Sequence, residues 1–409
     1  MSRALDVFLS GELVGRLSES GEGRVAFRIV DEYRRLPMRP VLSQSFEDDL
    51  GRVCRGRNHE LPAFFANLVP EGPLRELIAE SLQIDPGDGL GLLEAVGGDL
   101  PGAVEIRAGL EDESSSEDTE DELAEINSPD SPIDPGLLRF SLAGVQLKFS
   151  VLRERDKIVL PVHGQGGEWI IKIDSSRFPH LVENELAMLE WARAAGFDVP
   201  ECSLEPPESL SPVLRQYTSS DRPVFAIRRY DRRGAGRIHQ EDFAQVVGLR
   251  PGLKYDHVSY EQLGLLVKEI AGSDQYFELV RRLAFMVASG NTDAHLKNWS
   301  IVYPDRIRAV LSPLYDQVCT IAWPEMKPVL ALKFAGSKNL LQIDERSFGR
   351  LAEKAGEDSR QTVAIMRETL ERLARVWPEL PARSVLAPEH EGALREHWTR
   401  SPLLRQHRL

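Results

Sequence analysis

Residues 290–300 read GNTDAHLKNWS and gather Asp293, His295, Lys297 and Asn298 in one polar loop, with Asp293 five positions before Asn298. A second carboxylate, Asp316, closes PLYD at 313–316, and the apolar run EWIIKID at 168–174 carries Lys172. These are the residue types of phosphoryl transfer, which asks a protein for positioning and charge neutralisation more than for covalent help. A lysine on a rigid strand can hold α and β phosphates, and a loop aspartate can take the proton of an attacking hydroxyl. The oxygens of Asn298 and Asp316 suit magnesium, a hard cation. Singly, each residue has an ordinary alternative: Asp293 as a turn cap, Asn298 as a loop former, Lys172 as an edge-strand charge, Asp316 as a helix cap, His295 as a partner of the backbone.

Their order combines them. EWIIKID reads as a buried strand, and HLVENELAMLEWARAAG as a helix bearing Glu183 and Glu185 and stopping at Gly196. VFAIRRYD at 224–231 is a further strand. From about Tyr255 the pattern becomes helical: SYEQLGLLVKEIAG opens with Ser259 and Gln262 at capping-box spacing, and DQYFELVRRLAFMVASG ends in Gly290, directly before the polar loop. WSIVY and IRAVL form a hairpin around Pro304 and Asp305, and SRQTVAIMRETLERLARVW is helical. Strand lysine, helix carboxylates, strand, loop with Asp-x4-Asn, hairpin and aspartate follow the order of a protein kinase. The same offset occurs there in H-R-D-x-x-x-x-N, with N-T-D in its place here.

The chain has 409 residues, 42% hydrophobic and 28% charged, enough for two or three domains each with a core. DVFLSGELVGRL and RVAFRIVDEY alternate as short strands, and LPAFFANLVPEGPLRELIAESL adds helix, so a small mixed domain is expected over 1–108. Residues 111–130 hold ten acidic residues and no basic one, leaving −4 of the net −14 for the rest. An acidic solvated linker is expected over 109–135, then a β-rich lobe over 136–230 and a helical lobe over 231–409: an α+β, protein-kinase-like two-lobed fold with an extra small N-terminal domain. An acidic chain lacking a helix-turn-helix segment does not grip DNA alone. Cys54, Cys202 and Cys319 lack metal or disulfide spacing, and no run reaches the roughly 18 to 20 apolar residues of a spanning helix, so a cytoplasmic protein is expected.

SLAGVQLK at 141–148, Lys172, RRYDR at 228–232, RIHQEDFAQ at 237–245, NTDAHLKN at 291–298 and PLYD together resemble the HipA family of bacterial serine/threonine kinases, the toxins of toxin–antitoxin pairs; FFANLVPEGPLR is also family-like. The resemblance implies ATP and magnesium as cofactors, Asp293 as catalytic aspartate, and Asn298 and Asp316 as metal ligands. It puts Ala143, Gly144, Lys148, Lys172, Arg229, Tyr230, Asp231 and His295 about the ATP. Arg229 stands where related proteins often have glutamate, which leaves backbone contacts and Asp231 for that stretch. SLAGVQLK lacks the G-x-G-x-x-G of ordinary kinases. Ser141 matches an autophosphorylation serine whose modification silences the enzyme. The implied partners are a HipB-like helix-turn-helix antitoxin, operator DNA only through it, and a protein substrate such as an aminoacyl-tRNA synthetase, with no membrane. A kinase of small molecules or lipid head groups, and a kinase-like co-repressor partner, are the alternatives.

Overall fold

Alternating apolar residues set the first strands: in β1 (Ala4–Leu9) Leu5, Val7 and Leu9 are buried and their neighbours are not, as a period of two requires. Ser10 and Gly11, with φ of 52° and 86°, make the left-handed pair of a tight hairpin into β2 (Glu12–Glu19). β3 (Val25–Ile29), β4 (Cys54–Arg55) and β5 (Val104–Ala108) complete an antiparallel sheet of order β4-β3-β2-β1-β5. Phe27 of β3 packs on Phe46 and Phe65, and Phe64 packs on both of those, with ring centroids 4.7 to 5.7 Å apart. The core of this part runs from Leu5 to Ile106.

The computed structural model describes residues 3–57, 59–109, 146–155, 157–161, 166–218, 221–234, 236–255 and 257–407. Nearly all of the acidic segment expected at 109–135, and Ser141, Ala143 and Gly144, lie outside the described residues. β6 (Lys148–Glu154), β7 (Lys157–Val159), β8 (Trp169–Lys172), β9 (Cys202–Glu205) and β10 (Val224–Arg228) form a second antiparallel sheet, β7-β6-β8-β10-β9. Its register sets Lys148 opposite Lys172 and Lys172 opposite Phe225. Directly opposed residues share a face, so two lysines leave the sheet side by side.

The helix Leu181–Ala194 packs against β9 and β10. Trp191 anchors it, fully buried with Phe285, Trp377 and Trp398 at ring distances of 4.7 to 5.8 Å; truncating such a ring costs about 3–5 kcal/mol. In the helical half, Tyr260–Ala271 opens with the expected capping box of Ser259 and Gln262, and Ser273–Ser289 ends at Gly290 with φ 67°. Ser359–Val376 packs on Ser273–Ser289. The hairpin of Ser300–Tyr303 and Val310–Leu311 gains a third strand, His239–Asp242, too polar to signal itself in the sequence. Among the described residues no helix is long and apolar enough to cross a membrane.

Candidate active site

Lys172 ends β8 and is 7% exposed. Its Nζ donates to Glu185 Oε1 at 2.6 Å and to Asp316 Oδ1. One ammonium cannot fully compensate two carboxylates, and a second lysine decides between them. Burial pushes Glu185 up to about 7 despite Lys172. Burial also opposes ionisation of Asp316, but Lys172 and Lys148 overcome it and hold that carboxyl at about 2. Asp316 sits at φ 51°, a left-handed position that aspartate tolerates better than most residues.

The loop after Gly290 is fixed by its own polar groups. Thr320 Oγ1 accepts from Thr292 N at 2.7 Å and donates to Gly290 O at 3.0 Å, and Ala331 N donates to Thr292 O at 2.8 Å. Asp293 N donates to Asn291 Oδ1 at 3.0 Å, and Asn298 Nδ2 donates to Asp293 O at 3.0 Å. Tyr255 OH donates to Asp293 Oδ1 at 3.4 Å. Asp293 is therefore held by backbone and side chain in a buried loop.

His295 is 3% exposed, and neither ring nitrogen has a partner among the described residues, so the backbone bond that was its alternative is not formed. Burial and then Lys254 push it down to about 3, leaving it neutral. Asn291 Nδ2 is likewise buried without a partner among the described residues. Unmade hydrogen bonds of this kind cost about 1–3 kcal/mol each, and a polar ligand removes the cost.

Tyr230 donates to Gln240 Oε1, with its ring 5.7 Å from that of Tyr315, which donates to Lys297 O at 2.9 Å. Arg229 and Asp231 go elsewhere. Arg229 Nη1 donates to Asp99 Oδ1 at 2.6 Å and to Ser150 Oγ at 3.0 Å, and its Nη2 donates to Leu100 O at 3.1 Å and to Asp231 Oδ2 at 2.9 Å. Asp231 also accepts from Gly102 N at 2.7 Å and Arg232 Nη1 at 2.8 Å. Both side chains are engaged in a clasp to the N-terminal part, and Asp231 is 3% exposed, which leaves the backbone of this stretch for the expected nucleotide contact.

The sequence reading gave Glu185 no role of its own, although a signal was there: it lies three or four positions from Leu181, Val182, Met188 and Leu189, all buried, whereas Glu183 turns to Arg222 at 3.3 Å. Tyr255 gave no signal. Among the described residues no cluster of three or more His, Cys, Asp or Glu could hold a metal. The donors that fit one are the Asp316 carboxylate and the Asn298 amide oxygen, its nitrogen being engaged by Asp293 O. One carboxylate plus one neutral oxygen suits magnesium, which draws its remaining ligands from phosphate and water.

Residues 140–377 match the HipA-like C-terminal domain, and residues 5–107 the HipA N-terminal domain. The chain belongs to the HipA family. It is 38% identical over 379 residues to Y4dM of Sinorhizobium fredii (strain NBRC 101917 / NGR234), named as a candidate kinase, covering 91% of each chain. It is 24% identical over 309 residues to the serine/threonine-protein kinase toxin HipA of Shewanella oneidensis, covering 68% of this chain and 67% of that one. A solved complex of Shewanella oneidensis MR-1 HipA, HipB and operator DNA superposes with a TM-score of 0.73 at 19% identity, covering 99% of each chain. The fold of this HipA-family chain is the kinase-like α+β architecture.

Proposed function

We propose that this chain is an ATP-dependent serine/threonine protein kinase and the toxin of a toxin–antitoxin pair. The observation that carries the reading is the buried Lys172 shared between Glu185 of the helix and Asp316, the ion pair that kinases need in place for transfer. Lys172 and Lys148, side by side on one sheet face, take the nucleotide phosphates. Asp293, fixed by Asn291, Asn298 and Tyr255, accepts the proton of the acceptor hydroxyl. Neutral His295 offers one donor and one acceptor to the nucleotide. Asn298 and Asp316 would hold magnesium, which neutralises phosphate charge when bound. The acceptor is a protein of the translation apparatus, and Ser141 takes a phosphate in self-modification. A HipB-like antitoxin carries the complex to operator DNA, as the Shewanella oneidensis complex contains HipA, HipB and DNA.

The test is transfer of labelled γ-phosphate from ATP, with peptide mass spectrometry of the product. Wild type acquires phosphate at Ser141, and Asp293→Asn lowers turnover at least about 100-fold while still binding ATP. Turnover within about tenfold of wild type, roughly 1.4 kcal/mol, removes Asp293 from the role.

A further inference from the structure

One carboxylate from the N-terminal part reaches the reaction loop. Glu71, immediately before the helix Gly72–Leu82, accepts from Lys254 Nζ at 2.8 Å and from Lys297 Nζ. The lysine side chains are 8% and 17% exposed and Glu71 31%. Burial disfavours the Glu71 anion, but Lys297 and Lys254 outweigh it and hold the carboxyl at about 2. Glu71 is therefore charged at any working pH.

What the two lysines adjoin gives the contact its meaning. Tyr255 follows Lys254 and donates to Asp293 Oδ1 at 3.4 Å. Asn298 follows Lys297 and donates to Asp293 O at 3.0 Å. Leu296 N donates to Lys254 O at 3.3 Å and ties the two flanks together. A single carboxylate thus gathers both segments whose next residues hold Asp293.

Resting on the kinase reading above, we infer that Glu71 is a positioning residue for phosphoryl transfer. By drawing Lys254 and Lys297 onto one carboxylate it keeps Tyr255 and Asn298, and through them Asp293, in register, so that the N-terminal domain completes the active site. Without its charge, two largely buried ammonium groups lose their counterion beside a site that must receive phosphates, and Lys297 keeps the neutral Asn67 carbonyl at 3.3 Å. Lys297 is then drawn toward the nucleotide, and Asn298 with it. Displacement of about 1 Å at such a site costs on the order of 100-fold in rate.

Simple docking of the two halves predicts something else, and the same interface supplies the control. Glu60 pairs with Arg250, and Gln245 Nε2 donates to Phe64 O at 3.1 Å. These contacts fasten the halves without involving either partner of Asp293. Glu71→Gln and Glu60→Gln make the same chemical change on the same interface.

The experiment measures kcat and KM for ATP and the melting temperature of the full chain as wild type, E71Q, E71D and E60Q. The expected result is a kcat for E71Q at least about tenfold below wild type with KM within about threefold, a kcat for E71D nearer wild type than that of E71Q, and E60Q within about twofold throughout. A kcat for E71Q within about twofold of wild type, or equal losses in E71Q and E60Q, overturns the inference. If E71Q does not fold, Lys254→Met replaces it under the same thresholds. Wild type without phosphate transfer sinks the kinase reading and this inference together; an active wild type with an equally active E71Q sinks the inference alone.

Discussion

Lys172 with Glu185 and Asp316, and Arg229 with Asp99, Asp231 and Arg232, are both networks of basic side chains and carboxylates packed out of water. In the second, two arginines meet two aspartates, and every carboxylate on Asp231 and Asp99 is answered by a guanidinium. In the first, one ammonium serves two carboxylates, one of them with a side chain 31% exposed, next to a histidine and an amide without partners among the described residues. A network in which each carboxylate has its own guanidinium acts as a clasp, although Arg232 Nε is left without a partner among the described residues. An unsaturated one is held by the fold in a state that a ligand improves. Both combine cations with carboxylates; the balance between them, one ammonium for two carboxylates against two guanidiniums for two, separates binding from docking.

The comparison breaks most visibly at Arg229. Arg229→Met leaves Asp231, 3% exposed, with one fewer counterion, and loss of one member of a buried ion network costs about 3–5 kcal/mol. Denaturant unfolding should show that loss, with the dissociation constant for ATP within about threefold of wild type. A tighter coupling to ATP would return Arg229 to the nucleotide site. Lys172→Met should do the reverse. Its transfer rate falls about 100-fold, while stability falls less than in Arg229→Met, because Glu185, already raised to about 7, takes up a proton and Asp316 keeps Lys148 as a nearby cation. Equal losses of stability in the two variants would erase the distinction.

The smallest effect sharpens the docking side. Glu241, fully buried, accepts from Ser43 Oγ at 2.6 Å, Gln44 N at 3.0 Å and Tyr303 OH. Burial pushes it up to about 7 from 4.5, so folding favours its protonated form. That contribution is complete below the ordinary carboxyl pKa and is lost as pH rises through about 7. Between pH 5 and 8 wild type should lose on the order of 2 kcal/mol relative to Glu241→Gln. Parallel stability curves for the two proteins would place the titration elsewhere.

Much of the site was legible because its parts are local. Asp293 and Asn298 share a loop whose start is set by Gly290, and Lys172 follows an apolar strand run. The helix Leu181–Ala194 was legible too, and so, through its buried neighbours, was the face on which Glu185 lies. The side-chain partners of Arg229 and Asp231 were not legible, for the opposite reason. The two residues sit beside a strand end that belongs to the cleft, but their partners Asp99, Leu100 and Gly102 are about 130 residues away in the chain, and no spacing encodes that meeting.

By itself the sequence determined most of the elements, their order, the family and the candidate residues for phosphoryl transfer, since periodicity, capping and motif spacing act within a few turns of chain. Tertiary structure alone decided which charges meet. It chose Glu185 over Glu183 for Lys172, sent Arg229 to Asp99, and brought Glu71 to Lys254 and Lys297. Coulomb energy and desolvation depend on distance and burial between groups far apart in sequence, and those are set only when the halves pack.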